Sequence, residues 1–244
     1  MIGLPRVIGH RGAAASAPEN TLAGIARAHA LGCRWVEFDV KLSFDNVPLL
    51  MHDGRLDRTT DGDGFLAERT AAELKKLDAG SWFGPGFRHE RIPTLAETVA
   101  LLVRLGMGAN VEIKPCPGRE VETGRRVAQQ LRRIWPRGHG LLLSSFSPAA
   151  LEAARAAAPE LPRGLLVEEA PSDWPQTTGR LGCVTLNPLE RTLQPETVTQ
   201  AHALGLAVAV YTVNDPERAV LLAGWGVDAV ITDMPEQLIP AIAT

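Results

Sequence analysis

The sequence predicts an α/β chain folded as a (β/α)8 TIM barrel, and three observations lead there. Short β-branched or apolar runs alternate with longer Ala-, Leu- and Arg-rich stretches of helical period, the pattern of βα units on a parallel sheet. Glycine falls just after a periodic apolar stretch and just before a strand at Gly32, Gly106, Gly205 and Gly226, where helices stop. The length of 244 residues suits one barrel, a fold of roughly 250 residues. A single domain over residues 1–244 is therefore expected, with one inserted subdomain at about 53–93.

The first strand is Val7–Gly9, a short apolar run broken by His10-Arg11-Gly12. Pro18-Glu19-Asn20-Thr21 then opens a helix, with Asn20 or Thr21 as its cap and Pro18 ending the loop before it. That helix closes on Ala28-His29-Ala30-Leu31-Gly32, a run repeated identically at Ala201-His202-Ala203-Leu204-Gly205. Both histidines read as structural, since a helix's last turn carries the negative end of its dipole. Trp35–Lys41 is the second strand, by its strict alternation, and the apolar run Val47–Met51 follows it, ending at His52. From Asp53 to Pro93 the chain is rich in Gly, Asp, Thr and Arg, with one short helical stretch at Thr70–Leu77. This is too long for a βα loop, and Phe65, Trp82, Phe83 and Phe87 suggest an ordered, packed insert over the barrel mouth. The remaining strands are Ala109–Ile113, Gly140–Ser144, Gly164–Val167, Cys183–Leu186, Ala207–Thr212 and Ala229–Thr232, each separated from the next by helical sequence.

Composition removes several classes. Hydrophobic residues make up 45% and charged residues 22%, enough apolar surface to bury a large core. A net charge of -3 without a clustered basic stretch gives no footprint for nucleic acid. Three widely spaced cysteines, Cys33, Cys116 and Cys183, match neither a disulfide framework nor a zinc spacing and fit a reducing compartment. Neither an export signal nor an apolar run long enough for a membrane anchor is visible, so the expected location is cytoplasmic. Beyond a small-molecule substrate, the partner the sequence allows is a second copy of the chain in a homodimer.

The chemistry gathers where strands end. In Glu37-Phe38-Asp39 the period of two puts both carboxylates on one face while Val36, Phe38 and Val40 take the other. In Glu112-Ile113-Lys114-Pro115 it pairs Glu112 with Lys114, and Pro115 closes the strand at its C-terminal end, the catalytic end of a barrel. Three converging carboxylates repel one another unless a cation compensates, and all-oxygen ligation suits Mg²⁺ or Ca²⁺ over zinc. The competing reading makes them structural salt bridges to Arg34, Lys41 or Lys114. His10 and His52 each follow an apolar run, and two histidines can serve as the base and acid of a phosphodiester cleavage. Arg11 and Lys114 would neutralise the phosphoryl oxygens. His89 and His139, in polar loops, read as surface residues.

These residues resemble the glycerophosphodiester phosphodiesterase family over nearly the whole chain. The resemblance rests on His10-Arg11-Gly12, Pro18-Glu19-Asn20-Thr21, Glu37-Phe38-Asp39, His52-Asp53, Leu56-Asp57-Arg58-Thr59-Thr60, Pro93-Thr94-Leu95, Glu112-Ile113-Lys114, Ser145-Phe146, Gly226-Val227-Asp228 and Thr232-Asp233-Met234-Pro235. Within the family the chain most resembles the short cytoplasmic bacterial enzyme associated with glycerol 3-phosphate uptake, through Asp78-Ala79-Gly80-Ser81-Trp82 and the run from Ala158 to Leu166. The resemblance implies metal-dependent hydrolysis of small glycerophosphodiesters, such as glycerophosphocholine or glycerophosphoethanolamine, to sn-glycerol 3-phosphate and an alcohol. It implies His10 as base and His52 as acid, Glu37, Asp39 and Glu112 as ligands of one divalent ion, Mg²⁺ or Ca²⁺, and Arg11 and Lys114 as substrate contacts. It also implies attack by the substrate's own glycerol hydroxyl, through a cyclic phosphate that water opens.

The chain departs from the family's pattern at three places. Tyr211-Thr212-Val213-Asn214 stands where many relatives carry Trp-Thr-Val-Asn, trimming an aromatic wall; Asp45-Asn46 replaces the commoner Asp-Gly turn; and the loop at Asn187-Pro188-Leu189 diverges. Three other readings remain: a lysophospholipid-specific phosphodiesterase, a non-catalytic binding barrel, and a metal-assisted lyase or aldolase. The first lacks an amphipathic segment to dock on lipid, and the His pair with Arg11 fits phosphoryl chemistry better than enolate chemistry.

Overall fold

In a computed structural model describing residues 2–242, eight parallel strands close into a ring through the pairing of the first strand with both the second and the last. The strands are β1 (Val7–Gly9), β2 (Trp35–Leu42), β4 (Gly108–Ile113), β5 (Leu141–Ser145), β6 (Arg163–Val167), β7 (Thr185–Pro188), β8 (Ala207–Val210) and β9 (Ala229–Thr232). The extra strand β3 (Pro48–Leu50) lies outside the ring, antiparallel to β2. It is the run Val47–Met51, whose three paired residues were too short to stand out beside an ordinary loop. Met1, Ala243 and Thr244, the ends of the expected domain, lie outside the described residues.

Helices α1 (Leu22–Ala30), α3 (Leu95–Leu105), α4 (Glu120–Ile134), α5 (Pro148–Ala157), α6 (Trp174–Leu181), α7 (Pro195–Ala203), α8 (Pro216–Gly224) and α9 (Pro235–Ile242) join successive strands or follow the last. Alternation along β2 explains the layering: Val36, Phe38 and Val40 pack outward against Ile25, Ala28 and Leu102, leaving Glu37 and Asp39 to the interior. Below them the barrel is filled by Ile8, Trp35, Leu142, Ala209, Ala229 and Ile231. The glycine stops hold, with Gly32, Gly106, Gly205 and Gly226 all at positive φ after helices. β8 ends two residues before the expected Thr212, because Tyr211 retains only an isolated bridge to Leu189. β7 starts at Thr185, leaving Cys183 in the turn before it; all three cysteines are buried free thiols.

Between β3 and α3 the inserted chain packs on its own core of Leu49, Met51, Leu56, Leu66, Ala71, Leu74, Ala79 and Ile92. The short helix α2 (Ala71–Leu74) sits at the expected place, with Thr70 and Glu73 forming a capping box. The aromatics do not build this core. Phe65 and Trp82 are exposed, and Trp82, Phe83 and Phe87 form an edge-to-face row at the surface instead. Aliphatic side chains suffice to fill so small a core, and Trp82 and Phe83 instead line a surface cavity with His10 and Arg11. Asp78 ties the insert together by accepting hydrogen bonds from the backbone N–H groups of Gly80, Ser81 and His89.

Candidate active site

At the C-terminal mouth of the barrel the two histidines, Arg11, Glu112 and Lys114 line one cavity of about 340 Å³ with Phe146, Glu168, Arg191 and Tyr211. The loop after β1 brings in His10 and Arg11 through tight backbone geometry. Gly12 has φ +98 and lies so close to α1 that a side chain there would strike the Gly24 carbonyl carbon at 2.5 Å. Thr21 caps α1 by accepting from the Gly24 N–H. Asn20 turns inward instead: its Nδ2 donates to Asp39 Oδ2 (2.8 Å) and its Oδ1 accepts from the Asp39 N–H (3.0 Å).

Glu37, Asp39 and Glu112 each offer an oxygen within 4.8 Å of the others, and all three are buried. Register explains the meeting, since Asp39 of β2 is the direct partner of Glu112 on β4 and Glu37 lies one inward position below. The Lys114 ammonium contacts Asp39 Oδ1 (3.1 Å) and Glu112 Oε1 (2.7 Å), so part of the salt-bridge alternative is real. Lys41 is spent elsewhere, donating to the Lys114 carbonyl. The local cations do not satisfy the trio. Burial raises the Asp39 carboxyl, but Lys114 and Arg11 overcome this and hold it well below the usual range. Burial together with repulsion from Asp39 and Glu112 raises Glu37 far above that range, and burial beside Asp39 lifts Glu112 to about 7. Two of three carboxyls thus favour a proton until more positive charge arrives. A hard, all-oxygen donor set short of positive charge fits a divalent cation such as Mg²⁺ or Ca²⁺.

The hydrogen bonds define the tautomer of His10. Its Nδ1–H donates to Asp233 Oδ1 (2.6 Å), while its Nε2 accepts from Arg11 Nε (3.2 Å), so in the neutral ring the Nε2 lone pair faces the site. Asp233 is itself held by Asn214, whose Nδ2 donates to Asp233 Oδ2 (2.7 Å). Burial favours the neutral acid at Asp233, but the bond from His10 prevails and keeps it below the ordinary carboxylate range. His52 Nδ1–H donates to Asp53 Oδ1 (2.6 Å), and Arg58 holds Asp53 in turn. Burial, with Arg11 and Lys114 nearby, depresses His52 below the usual imidazole range, against the opposite pull of Asp39. Arg11 also reaches Glu19 (2.8 Å), which Arg58 grips with two further bonds.

The seven residues singled out in the sequence are thus brought to one end of the barrel. Of their supports, only Asn20 had been weighed as a hydrogen-bonding partner of the site. Asp233 and Glu19 stood inside quoted motifs but drew no role, although a lone acid just past the last barrel strand was a usable signal for Asp233. Phe146, quoted in Ser145-Phe146, also drew no role, and Glu168 and Arg191 enter on loops with no local pattern to mark them. Tyr211 lies edge-on to Phe146 (5.7 Å) and donates its hydroxyl to the Val167 carbonyl (3.0 Å). His29 and His89 are exposed, and His202 is tied to Asp228 at 2.9 Å in a helix's last turn; none enters the site.

Known proteins share this arrangement of chain. The fold superposes with a TM-score of 0.96 on an Oleispira antarctica phosphodiesterase in complex with the product sn-glycerol-3-phosphate, at 43% identity, covering 99% of this chain and 98% of that one. A glycerophosphodiester phosphodiesterase from Thermotoga maritima superposes at 0.80 with 26% identity, over 97% of this chain and 98% of that one. Among curated proteins, a glycerophosphodiester phosphodiesterase of Caldanaerobacter subterraneus subsp. tengcongensis is 35% identical over 237 residues, 96% of each chain. One from Bacillus subtilis is 30% identical over 94% of this chain and 83% of its own. The model of the glycerophosphoryl diester phosphodiesterase family matches residues 10–237, from the first histidine of the site to the last helix; the chain belongs to that family of phosphoric diester hydrolases.

Proposed function

We propose that this chain, as a single catalytic barrel with an inserted subdomain at about 53–93, hydrolyses small glycerophosphodiesters such as glycerophosphocholine and glycerophosphoethanolamine to sn-glycerol 3-phosphate and an alcohol. The observation that carries the reading is the meeting of His10, His52, Arg11 and Lys114 with the buried acidic trio at the mouth. Glu37, Asp39 and Glu112 would hold one divalent ion, Mg²⁺ or Ca²⁺, whose charge would oppose that of the phosphoryl oxygens. The cytoplasm is the proposed location; none of the described helices is long and apolar enough to cross a membrane.

His10 Nε2, released by Arg11 as that guanidinium turns to the phosphoryl oxygens and with its other nitrogen held by Asp233, takes the proton from the attacking hydroxyl, the substrate's own glycerol hydroxyl in the first step. Arg11 and Lys114 bind the phosphoryl oxygens and hold the phosphorus in line for that attack. His52 supplies the proton to the departing alkoxide. In the free site it favours its neutral form, and an arriving phosphodiester anion restores the charged form by placing negative charge beside it. Water then opens the cyclic phosphate with the two histidines in exchanged roles.

The test is release of sn-glycerol 3-phosphate from glycerophosphocholine by chelator-stripped protein, before and after Mg²⁺ or Ca²⁺ is added back. Release that requires the ion is expected. Failure with every ion and several glycerophosphodiesters would overturn the reading and leave a binding barrel or a lyase.

A further inference from the structure

Parallel barrels fill their interior layers chiefly with Val, Ile and Leu. Here Asn110 on β4, Ser144 on β5 and Asn187 on β7 are at most 1% exposed. Both amide atoms of Asn110, Ser144 Oγ and Asn187 Nδ2 find no hydrogen-bond partner among the described residues. Buried polar atoms left without partners are costly, so such a set calls for an explanation. The register supplies a direction. Asn110 is the cross-strand partner of Glu37, and Ser144 that of Glu112, and partners on parallel strands point to the same face.

Beside two of the acids lies a small recess of about 20 Å³, lined by Glu37, Asn110 and Glu112 with His10, Tyr211 and two aliphatic side chains, and sharing His10, Glu112 and Tyr211 with the main cavity. One water needs roughly 10–15 Å³ and commonly two to four polar partners. The cavity admits one such molecule. The other polar groups on its wall are engaged: Tyr211 donates to the Val167 carbonyl, and both ring nitrogens of His10 are bonded. Asn110 remains, on the same face as Glu37 and Glu112, each of which has one carboxylate oxygen already held, by the Arg11 backbone N–H (3.0 Å) and by Lys114 (2.7 Å) respectively.

We infer that Asn110 holds one ordered water beside the acidic trio and through it positions Glu37 and Glu112 for a divalent cation. The water accepts from Asn110 Nδ2 and donates one hydrogen to each glutamate. The second oxygen of each carboxylate is then fixed by the water. This makes Asn110 a positioning residue of the metal site, and the inference rests on reading the trio as that site. A leucine at 110, of similar volume, would fill the space and remove the water's hold on the second oxygen of each glutamate, leaving Glu37 to the Arg11 N–H and Glu112 to Lys114.

Three measurements test it. A high-resolution crystal structure of the metal-free protein should show a water about 3 Å from the Asn110 amide and from both glutamates. Calorimetric titration with Mg²⁺ should show Asn110→Leu binding about 10-fold or more weakly, the usual effect of losing a group that orients metal ligands. The KM for glycerophosphocholine at saturating Mg²⁺ should change less than the Mg²⁺ affinity does. Asn110→Ser, short enough to keep the water, should regain most of the affinity, which a merely space-filling role would not allow. Wild-type affinity in a folded Asn110→Leu, or a dry cavity in the wild-type density, overturns the inference. If Asn110→Leu does not fold, the density and the affinity of Asn110→Ser decide. A wild-type protein that binds neither Mg²⁺ nor Ca²⁺ overturns the metal reading itself, before any variant is compared.

Discussion

Replacing Asp233 by asparagine changes one oxygen to an amide nitrogen, and the structure dictates which way that amide must face. Asn214 cannot adapt, because its Oδ1 already accepts from Thr232 Oγ1 (3.0 Å) and from the Asp233 N–H (2.9 Å). Its Nδ2 therefore continues to point at side chain 233 and demands an oxygen there. In Asp233→Asn the remaining oxygen goes to Asn214, and the new NH2 group confronts His10 Nδ1. To become an acceptor, that nitrogen must give up its proton to Nε2, which removes the lone pair proposed as the base and costs the hydrogen bond from Arg11 Nε. Keeping the productive tautomer instead would set two donors against each other, at about 1.5–3 kcal/mol for a partly buried pair that has lost a charged acceptor. At 1.4 kcal/mol per tenfold change, kcat should fall about 10- to 100-fold. The assay is enzyme-coupled detection of sn-glycerol 3-phosphate from glycerophosphocholine at saturating metal. The double variant Asp233→Asn/Asn214→Ala frees the amide to turn its oxygen back to His10, and should be faster than Asp233→Asn alone. A single variant within about 3-fold of wild type from pH 6 to 9, or a double variant slower than the single, would refute the tautomer argument.

The remaining expectations concern separate parts of the site and its scaffold. His52→Ala should lower kcat by about 100-fold or more while the thermal transition stays near wild type, and near-normal turnover would remove His52 from the mechanism. Glu112→Gln should weaken Mg²⁺ binding in a calorimetric titration, and an unchanged titration would make Glu112 structural. Because Glu37 and Glu112 hold their protons unusually tightly, ion binding should release protons near neutrality, and its affinity should fall as pH is lowered; an apparent binding enthalpy that is the same in buffers of different ionisation heat would count against this. Asp78→Ala leaves backbone donors of the insert unpaired and should destabilise the protein by about 2–4 kcal/mol in urea unfolding. Burial opposes the Asp78 charge, but hydrogen bonds from Ser81, His89 and Gly80 hold its carboxyl below the usual range. Its contribution is therefore complete above the unfolded value near 4 and is lost as pH falls toward the folded one. A wild-type and variant difference that does not shrink in acid would contradict that assignment.

Much of this was readable in one dimension because its causes are local. Alternation along Glu37-Phe38-Asp39 fixes which side chains share a face, and glycine after an apolar helical run marks a helix end whatever surrounds it. Proximity on the chain also made the His52-Asp53 pair visible. Other features had no such signal. β3 makes three pairs with a neighbouring strand and has no periodicity long enough to identify it. The aromatics of the insert were read as a sign of an ordered, packed insert, and the insert is packed, but by aliphatic residues that close its core without them.

What the sequence determined by itself was the order of βα units and the inward face of each strand, since both follow from backbone periodicity and turn chemistry within a few residues. Only the tertiary structure decided that His10 is held by Asp233, 223 positions away, that Asn20 locks Asp39, and that Asn110 and Ser144 flank two of the acids. The reason is closure. Pairing β1 with β9 brings the first and last strands side by side, and strand register alone determines which inward residues become neighbours. Register is a property of paired strands, and no single strand carries it.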